Sequence, residues 1–174
     1  MDDIDADGYR ANVGIVLSNK DGSVLLGGRK GQKGWQFPQG GIHVREDVKV
    51  AMYRELHEEI GLEANDVEIL GQTSTWISYD LPKKYIRRNA HPLCIGQKQR
   101  WFLLRLISGE QHVRLDASGL PEFDRWRWVD FWQPVKEVIY FKRKVYVQAL
   151  HELGPVLFPD GLPPRPDWWS EEWD

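Results

Sequence analysis

The chain has 174 residues with a formal net charge of −3, and 41% of its residues are hydrophobic and 28% are charged. These values are typical of one globular domain, and they exclude a strongly basic protein that coats nucleic acid, so any contact with nucleic acid should be local. The single cysteine, Cys94, excludes an internal disulfide. The sequence shows neither a signal-peptide pattern nor an apolar run of roughly 18 residues, so a cytoplasmic location without membrane contact is expected.

The N-terminal part of the chain predicts a β-hairpin followed by loops. Residues 11–18 (ANVGIVLS) are apolar and β-branched, which favours a buried strand. A turn at residues 19–22 leads to a second short strand at residues 24–26, so the two strands should pair. The glycine- and lysine-rich residues 27–34 predict a loop, and residues 35–42 predict an extended segment that a proline and two glycines interrupt.

A helix is predicted at residues 47–60, with Asp47 near its N-terminus and Gly61 as its stop signal. At 100° per residue, three glutamates of this helix fall within about 100° of arc. They are Glu55, Glu58 and Glu59. The adjacent apolar stripe consists of Met52, Leu56 and Ile60. One flank of the helix can therefore pack against a sheet while the carboxylates face a cleft.

The rest of the chain predicts three more strands and one more helix. The strands are expected at residues 67–79, 99–107 and 126–129. A long basic loop is expected at residues 80–96, and Pro134 should open a helix that runs to about Leu150. Strands interleaved with two helices predict an α/β (α+β) domain with a mixed sheet over residues 1–153, followed by a tail rich in proline and tryptophan at residues 154–174.

The concentration of carboxylates on one turn of helix needs a physical explanation. Like charges three or four residues apart repel one another by a few tenths of a kcal/mol per pair, so cations of the protein or a bound metal should offset the repulsion. Carboxylate oxygens are hard ligands that suit Mg²⁺ or Mn²⁺. The alternative is a solvated helix face on which Arg54 is the partner of the glutamates. The spacing alone does not decide between the two.

Residues 40–62 (GGIHVREDVKVAMYRELHEEIGL) resemble the Nudix box of the Nudix hydrolase family. That motif consists of Gly, five residues, Glu, seven residues, and then Arg-Glu-apolar-any-Glu-Glu-any-Gly-apolar. Its fixed positions are all filled in this chain, by Gly40, Glu46, Arg54, Glu55, Leu56, Glu58, Glu59, Gly61 and Leu62. A match of this length is very improbable by chance, so the chain is identified as a member of the family.

The resemblance implies the Nudix fold, in which helices sandwich a mixed β-sheet, and hydrolysis of a phosphoanhydride with Mg²⁺ or Mn²⁺ as cofactor. The positions that match the family's metal ligands are Glu55, Glu58 and Glu59, with Glu122 and Gly40 as further candidates. Glu46 and Arg54 match the structural pair that orients those ligands. Glu59 is the first candidate for the general base, and Glu122 is the second.

Five further segments resemble one branch of the family, the bacterial RNA pyrophosphohydrolases, and its relatives the asymmetric dinucleoside tetraphosphate hydrolases. The segments are GYRANVGIVL (8–17), WQFPQGGI (35–42), IGQKQRWF (95–102), PEFDRWRW (121–128) and FKRKVY (141–146). This resemblance implies conversion of a single-stranded 5′-triphosphate or 5′-diphosphate RNA end to a monophosphate, which would initiate decay of messenger RNA. Two alternatives stay open, a dinucleoside tetraphosphate hydrolase and a catalytically silent domain that only binds RNA or nucleotide.

The same resemblance implies substrate contacts from Arg10, Arg29, Gln39, Tyr79, Lys83, Gln97, Ile139, Phe141 and Lys142. Cations suit a triphosphate, glutamines can bond phosphate or base edges, and the two aromatic positions match residues that flank a base in the RNA enzymes. A basic stretch could follow the RNA backbone, and it consists of Lys83, Lys84, Arg87, Arg88, Lys98 and Arg100. For each of these residues the plainer alternative is a packed aromatic ring or a solvated cation.

Three features depart from this branch of the family. Residues 43–45 (His-Val-Arg) replace an Asn-Pro-Gly that is usual there, and Lys30 stands where an aromatic residue is common. The tail at residues 154–174 is acidic and aromatic, whereas the RNA enzymes often carry a basic extension. This tail could fold over the body, bind a protein partner or stay mobile, and the sequence does not decide among these.

Overall fold

The computed structural model describes residues 1–174 and contains eight β-strands and three α-helices. The strands are β1 Tyr9–Ser18, β2 Val24–Arg29, β3 Trp35–Gln36, β4 Gln39–Gly41, β5 Val67–Gln72, β6 Ile77–Asp80, β7 Gly96–Leu106 and β8 Phe123–Val129. The helices are α1 Val48–Ile60, α2 Gln133–Glu137 and α3 Arg143–Leu157. None of these helices combines the length and the apolar character needed to cross a membrane.

The strands form one mixed sheet whose central pair, β1 and β7, is parallel. The main path of the sheet runs in the order β3-β2-β1-β7-β5, while β4, β6 and β8 pair with β1, β7 and β2 respectively. All pairs other than the central one are antiparallel. The mixed sheet and the α+β class predicted from the sequence are therefore confirmed.

Both faces of the sheet are buried, because consecutive side chains of a strand point to opposite sides. Ile15 belongs to the apolar cluster that contains α1, whereas its neighbour Val16 belongs to the cluster that contains α3. We call these two sides the α1 face and the α3 face. The predicted apolar stripe of α1 is fully buried on its face, with 0% exposure for Met52, Leu56 and Ile60.

The segment predicted as one strand at residues 67–79 is in fact two strands, β5 and β6. At the break, Thr73 still bonds β7, since its N–H donates to Trp101 O at 2.9 Å and its Oγ1 accepts from Trp101 N–H at 3.0 Å. The next N–H, of Ser74, donates instead to Glu152 Oε2 of α3 at 2.7 Å. The strand ends here because a side chain distant in sequence replaces the neighbouring strand as hydrogen-bond partner.

The helix predicted from residue 134 to residue 150 is also interrupted. Val138 and Ile139 are extended, with ψ of 155° and 140°. Val138 is 2% exposed, so its β-branched side chain packs into the core on the α3 face. A single 3₁₀ turn, Tyr140–Lys142, follows before α3 begins. The interruption places this turn in the wall of a cleft.

The tail lies against the body of the protein on the α3 face. The indole N–H of Trp132 donates to Pro163 O at 2.8 Å, and its ring lies edge-on to that of Trp169 with centroids 4.9 Å apart. Three partly buried tryptophans of the tail pack against the α3-face core, namely Trp168, Trp169 and Trp173. Of the three possibilities for the tail, the structure therefore shows it folded over the body.

Candidate active site

The acidic helix α1 is held at both ends by local hydrogen bonds. Asp47 accepts from the N–H groups of Lys49 and Val50 at 2.9 and 3.4 Å, which makes it the N-cap. At the other end Gly61 has φ of 73°, and its N–H donates to His57 O at 2.9 Å. A residue with a Cβ rarely adopts that backbone conformation. The caps fix where the glutamates stand relative to the sheet.

The turn before α1 is closed despite the unusual residues at positions 43–45. The His43 N–H donates to Glu46 Oε1 at 3.0 Å, and the Glu46 N–H donates to His43 O at 3.0 Å. Arg45 has φ of 67°, a left-handed conformation that glycine adopts at lower cost. The turn that positions Glu46 therefore requires an unfavourable backbone conformation at Arg45.

Arg54 connects this turn to the glutamates of the helix. Its guanidinium binds both oxygens of Glu46, at 2.9 Å from Nε and 2.8 Å from Nη2, and Nη2 also donates to Gly41 O at 2.7 Å. Its Nη1 lies 2.7 Å from Glu55 Oε1 and 3.5 Å from Glu58 Oε2. The guanidinium lowers the pKa of Glu46 to about 2. Arg54 thus offsets part of the repulsion among the helix carboxylates.

Replacing Arg54 with alanine is expected to destabilise the fold at pH 7 by about 2–3 kcal/mol, because the largely buried carboxylates of Glu46 and Glu55 lose their partner. The pKa of Glu46 is depressed in the folded state, so its contribution to stability is present above its ordinary value of 4.5 and is lost as the pH falls toward 2. The cost of the substitution should therefore shrink on acidification, which urea unfolding at pH 7 and pH 3.5 would measure.

Arg88→Ala is the matched control for this measurement, because Arg88 is exposed in the loop before β7. It should change the unfolding free energy by less than about 0.5 kcal/mol. An Arg54→Ala cost no larger than that of the control, or one independent of pH, would contradict the stabilising role assigned to the Arg54 ion pairs.

Glu55 packs directly on the backbone of Gly40. A Cβ atom on Gly40 would lie 1.8 Å from Glu55 Cδ, so only glycine fits at this position while Glu55 is in place. Burial raises the pKa of Glu55 to about 7; Arg54 counteracts this shift, and the charge of Glu58 adds to it. Two fixed positions of the sequence motif are therefore in direct contact.

Glu59 is as buried as Glu55, with 7% exposure for each, and its charge is less well compensated. Its Oε2 accepts from the Gln39 N–H at 3.2 Å, and none of the Arg54 ion pairs reaches it. Burial raises the pKa of Glu59 well above its ordinary value, and the charge of Glu55 raises it further. A carboxylate in this environment readily accepts a proton or attracts a cation.

The donor set fits a hard divalent cation, since it consists of carboxylate oxygens and two of the three glutamates are buried with raised pKa values. No three His, Cys, Asp or Glu side chains form a group that could hold a metal ion as they stand, and Glu55 instead accepts from Arg54. Three of the predicted ligands, Glu55, Glu58 and Glu59, are therefore neighbours on one helix.

A cleft of about 620 Å³ contains most of the predicted substrate-binding residues. Eight residues predicted for the site line it, namely Arg29, Gln39, Tyr79, Gln97, Glu122, Ile139, Phe141 and Lys142. Arg10 is not among the lining residues; it pairs with Asp2 at 3.2 Å, although it stands beside Gln97 in the β1–β7 register. Lys83 is exposed in a 3₁₀ turn outside the lining. Gln39 joins the cleft to the glutamates, because its N–H binds Glu59.

Lys142 and Arg29 supply positive charge in the cleft. Burial lowers the pKa of Lys142 to about 8, and the charge of Arg29 lowers it further, whereas Glu59 and Glu122 counteract the shift. Arg29, Lys142 and Glu122 line the cleft, and Glu59 is bonded to Gln39, which also lines it. Phosphate oxygens bound there would be held by the cations and stand next to the carboxylates of the acidic helix.

Tyr79 and Phe141 form an aromatic wall together with Tyr85. The ring centroids of Tyr79 and Phe141 are 5.8 Å apart, and those of Tyr85 and Phe141 are 5.4 Å apart. Because these distances are those of rings in direct contact, no layer is open between the rings for a base. The two residues predicted to flank a base therefore stand side by side, and a base would stack on the wall they form.

The sequence analysis missed a buried amide network next to the cleft. The Gln99 Nε2 donates to Asn12 Oδ1 at 2.9 Å and to Gln39 Oε1 at 3.0 Å. Asn12 and Gln99 are 3% and 1% exposed and are partners in the β1–β7 register. The signal in the sequence that could have revealed this network is Asn12, an amide within the largely apolar strand predicted at residues 11–18. The network fixes the side chain of Gln39 at the border between cleft and glutamates.

Trp35 was also missed as a cleft residue. The guanidinium carbons of Arg125 and Arg127 lie 4.8 and 4.2 Å from its ring centroid. Arg127 in turn bonds Glu137 Oε1 at 2.6 Å, and Glu137 lines the cleft. Strand β8 therefore supports the cleft from outside through cation–π contacts that depend on pairing with β2 and could not be predicted from spacing.

The predicted basic stretch does not form one surface. Lys98 is next to Ala11 in the register, on the α1 face, and pairs with Asp5 at 3.1 Å. Arg100 lies on the same face, and both cations stand about 5 Å from the Trp76 ring, at 5.0 and 5.1 Å. The remaining members are exposed in the loop before β7, namely Lys83, Lys84, Arg87 and Arg88.

The family model that matches this chain is described as the NUDIX domain, and it covers residues 8–150. An RNA pyrophosphohydrolase of Alkalilimnicola ehrlichii is 58% identical over 163 residues, which cover 94% of this chain and 90% of the relative. Another of Methylococcus capsulatus is 59% identical over 154 residues, which cover 88% of this chain and 81% of the relative. The sequence similarity thus extends well beyond the motif at residues 40–62.

Solved structures with the same fold are much more distant in sequence. The Escherichia coli dihydroneopterin triphosphate pyrophosphohydrolase superposes with a TM-score of 0.63 at 19% identity, covering 79% of this chain and 92% of that one. A Caenorhabditis elegans Ap4A hydrolase superposes with a TM-score of 0.54 at 18% identity, covering 86% and 94%. At these identities the likeness establishes the fold alone.

Proposed function

The chain belongs to the Nudix family, and we propose that it hydrolyses the 5′-terminal triphosphate or diphosphate of RNA to a 5′-monophosphate, releasing pyrophosphate or phosphate. The observation that carries the proposal is the cleft, in which cations and an aromatic wall lie beside the carboxylates of the Nudix box. Relatives 58% and 59% identical to the chain are named RNA pyrophosphohydrolases. Removing the polyphosphate in this way would initiate decay of messenger RNA.

The residues of the chain divide the work of the hydrolysis. Lys142 and Arg29 bind phosphate oxygens, and the aromatic wall holds a base. Glu59 accepts the proton of the attacking water, for which its raised pKa and its contact with Gln39 suit it. The water oxygen bonds to phosphorus while the P–O bond of the anhydride breaks, and the leaving phosphate or pyrophosphate carries away the electron pair.

A divalent cation is the cofactor that this family generally requires. Bound Mg²⁺ or Mn²⁺ would neutralise phosphate oxygens and lower the pKa of the attacking water. The residues that would hold it are Glu55, Glu58 and Glu59, with Glu122 and the backbone of Gly40 as further candidates. Glu46 and Arg54 would orient these ligands, because Arg54 binds Glu46, Glu55 and Glu58 together.

The experiment that tests the proposed function compares two substrates under one condition. Turnover of a 5′-triphosphorylated oligonucleotide and of diadenosine tetraphosphate should be measured at equal concentrations with Mg²⁺. We expect a higher kcat/KM for the RNA. The dinucleoside tetraphosphate alternative keeps support from the shared segment at residues 35–42, because both substrates combine a polyphosphate with a base. A much higher kcat/KM for the dinucleotide would favour that alternative, and no turnover of either would favour a silent binding domain.

Lys142→Ala should weaken binding of the phosphates, whereas Phe141→Ala should weaken binding of a base. Phosphate contacts are indifferent to sequence and length, so Lys142→Ala should lower kcat/KM for a triphosphorylated oligonucleotide and for a nucleoside triphosphate alike, and reduce the dependence on salt. Phe141→Ala should cost the oligonucleotide about 1–3 kcal/mol of stacking and the mononucleotide less.

Because Lys142 has a pKa of about 8, its phosphate binding should weaken as the pH rises through 8 in the parent and not in Lys142→Ala.

Two controls separate these roles from general effects. Lys20→Ala removes an exposed cation of the β1–β2 turn and should leave both kcat/KM values unchanged. Phe141→Leu keeps an apolar side chain without a ring. It should therefore be more stable than Phe141→Ala if that variant is poorly folded, but it should not recover the activity on the oligonucleotide. If Phe141→Ala lowers both kcat/KM values equally and Phe141→Leu restores them, Phe141 is a packing residue and the stacking role is wrong.

A further inference from the structure

A second cavity, of about 590 Å³, shares Tyr79 and Phe141 with the substrate cleft. Three more rings line it, those of Tyr9, Tyr140 and Trp173. The mechanism described above does not use this cavity. Its volume lies within the range of ligand sites, which is about 300–1,000 Å³. Because Tyr79 and Phe141 line both cavities, this cavity is adjacent to the place where a base would stack in the cleft.

The tail completes this cavity. Its last turn, Glu171–Trp173, supplies Trp173 to the lining. The ring of Trp173 lies edge-on to Trp169 with centroids 5.2 Å apart, and Trp169 lies edge-on to Trp132 with centroids 4.9 Å apart. Trp132 is 3% exposed and belongs to the core. A row of contacting rings therefore fixes the position of Trp173 from the core outward.

We propose that this cavity binds the RNA base that follows, in the 3′ direction, the base held against Phe141 in the cleft. The tail would then make the enzyme favour an oligonucleotide over a shorter substrate. This inference rests on the proposed function and deepens it, because it names which part of an RNA substrate the acidic, aromatic tail recognises.

The chemistry of the lining fits a base with its adjoining phosphate. Aromatic rings offer stacking surfaces that every base can use, and the cations Arg143 and Lys144 can follow the backbone. The Nε of Arg143 is buried without a hydrogen-bond partner. Two carboxylates line the cavity, Asp80, which accepts from the Tyr9 hydroxyl, and Glu172. Both repel phosphate, and Glu172 can accept from the amino group of a base. The base, and not the phosphate, should therefore lie at the tail side of the cavity, where Glu172 and Trp173 stand.

The test measures kcat/KM for 5′-triphosphorylated RNAs of one, two, three and four nucleotides. The kcat/KM of the parent should rise about tenfold between two and three nucleotides, because Phe141 holds the second base and the third is the first that can reach the cavity. Trp173→Ala should lose most of that gain, and Trp173→Phe should restore it, since the ring is kept. Lys144→Glu should lower the gain a few-fold; its side chain is exposed, so this variant does not depend on packing. Trp76→Ala is the matched control, a half-exposed tryptophan flanked by two cations on the α1 face, and it should keep the whole gain.

The outcomes separate this inference from the proposed function. If the parent hydrolyses no triphosphorylated RNA of any length, the proposed function fails. If the parent hydrolyses RNA but shows no gain with length, or if Trp173→Ala and Lys144→Glu both keep the gain, this inference fails while the function stands. An equal loss of kcat/KM by Trp173→Ala at all RNA lengths would likewise overturn this inference, because it would show that Trp173 only supports the fold.

Discussion

Glu59→Gln is expected to lower kcat by at least about a hundredfold with Mg²⁺ present, while the protein stays folded. The substitution removes the negative charge and the proton acceptor but keeps the shape and an oxygen that can accept from the Gln39 N–H, now 3.2 Å from the carboxylate. Losing one such group at a phosphoryl-transfer site typically costs several kcal/mol of transition-state stabilisation. Glu58→Gln should lower kcat by a factor of the same order, because Glu58 belongs to the same set of predicted metal ligands on α1.

The same substitution should leave the metal-free protein as stable as the parent or more so. The pKa of Glu59 is raised in the folded state by burial and by Glu55, so above its ordinary value of 4.5 the folded protein binds more protons than the unfolded chain. The stability of the parent therefore falls as the pH rises through this window, and the neutral glutamine removes that loss. At pH 8 in chelator, the melting temperature of Glu59→Gln should equal or exceed that of the parent by a few degrees.

Single-turnover kinetics and thermal melts of parent and variant measure both effects. Glu68→Gln is the matched control, because Glu68 is exposed on β5, and it should change neither kcat nor the melting temperature. A metal-free Glu59→Gln protein melting several degrees below the parent would show that the carboxylate is structural. A kcat within tenfold of the parent would remove Glu59 from the role of general base.

Removal of divalent metal is expected to abolish turnover. The donors on α1 are hard carboxylates without a soft ligand near them, so Mg²⁺ or Mn²⁺ should restore activity after chelation. A readout independent of catalysis is the melting temperature, which should rise with the concentration of Mg²⁺ because the cation binds only the folded protein. That rise should be smaller in Glu59→Gln. Full turnover in excess chelator, or no effect of Mg²⁺ on the melting temperature of the parent, would contradict this expectation.

The acidic helix was predictable because its determinants are local. A capping aspartate, an apolar stripe, a terminal glycine and carboxylates spaced on one face all lie within residues 47–61, and helical geometry alone relates them. The contact between Gly40 and Glu55 also lies within the motif. The mixed sheet and the approximate positions of β1, β7 and β8 followed from apolar patterning and from the resemblance to the Nudix family. The division of residues 67–79 into two strands, the short strands β3 and β4, and the order of the strands in the sheet did not follow from patterning.

The breaks at residue 74 and at residues 138–139 could not be predicted from patterning. At the first, a carboxylate of α3 takes the N–H that a strand would use, and at the second a buried valine leaves the helix to enter the core. Both depend on partners distant in sequence. The second break matters for function, because it turns a predicted amphipathic helix into the 3₁₀ turn that carries Phe141 and Lys142 into the cleft.

The sequence by itself determined the family, the helix with its three glutamates and eight of the 16 residues that line the cleft, because motif spacing and the resemblance to the family can be read from the order of residues alone. Only the tertiary structure decided which of those residues meet. Pairing of β1 with β7 brings Asn12 to Gln99, the sheet separates Lys98 from the cleft, and a row of tryptophan rings seats the tail beside Phe141. The physical reason is that side-chain proximity across a sheet depends on register and on which face a residue occupies, and one chain position more or less reverses the face.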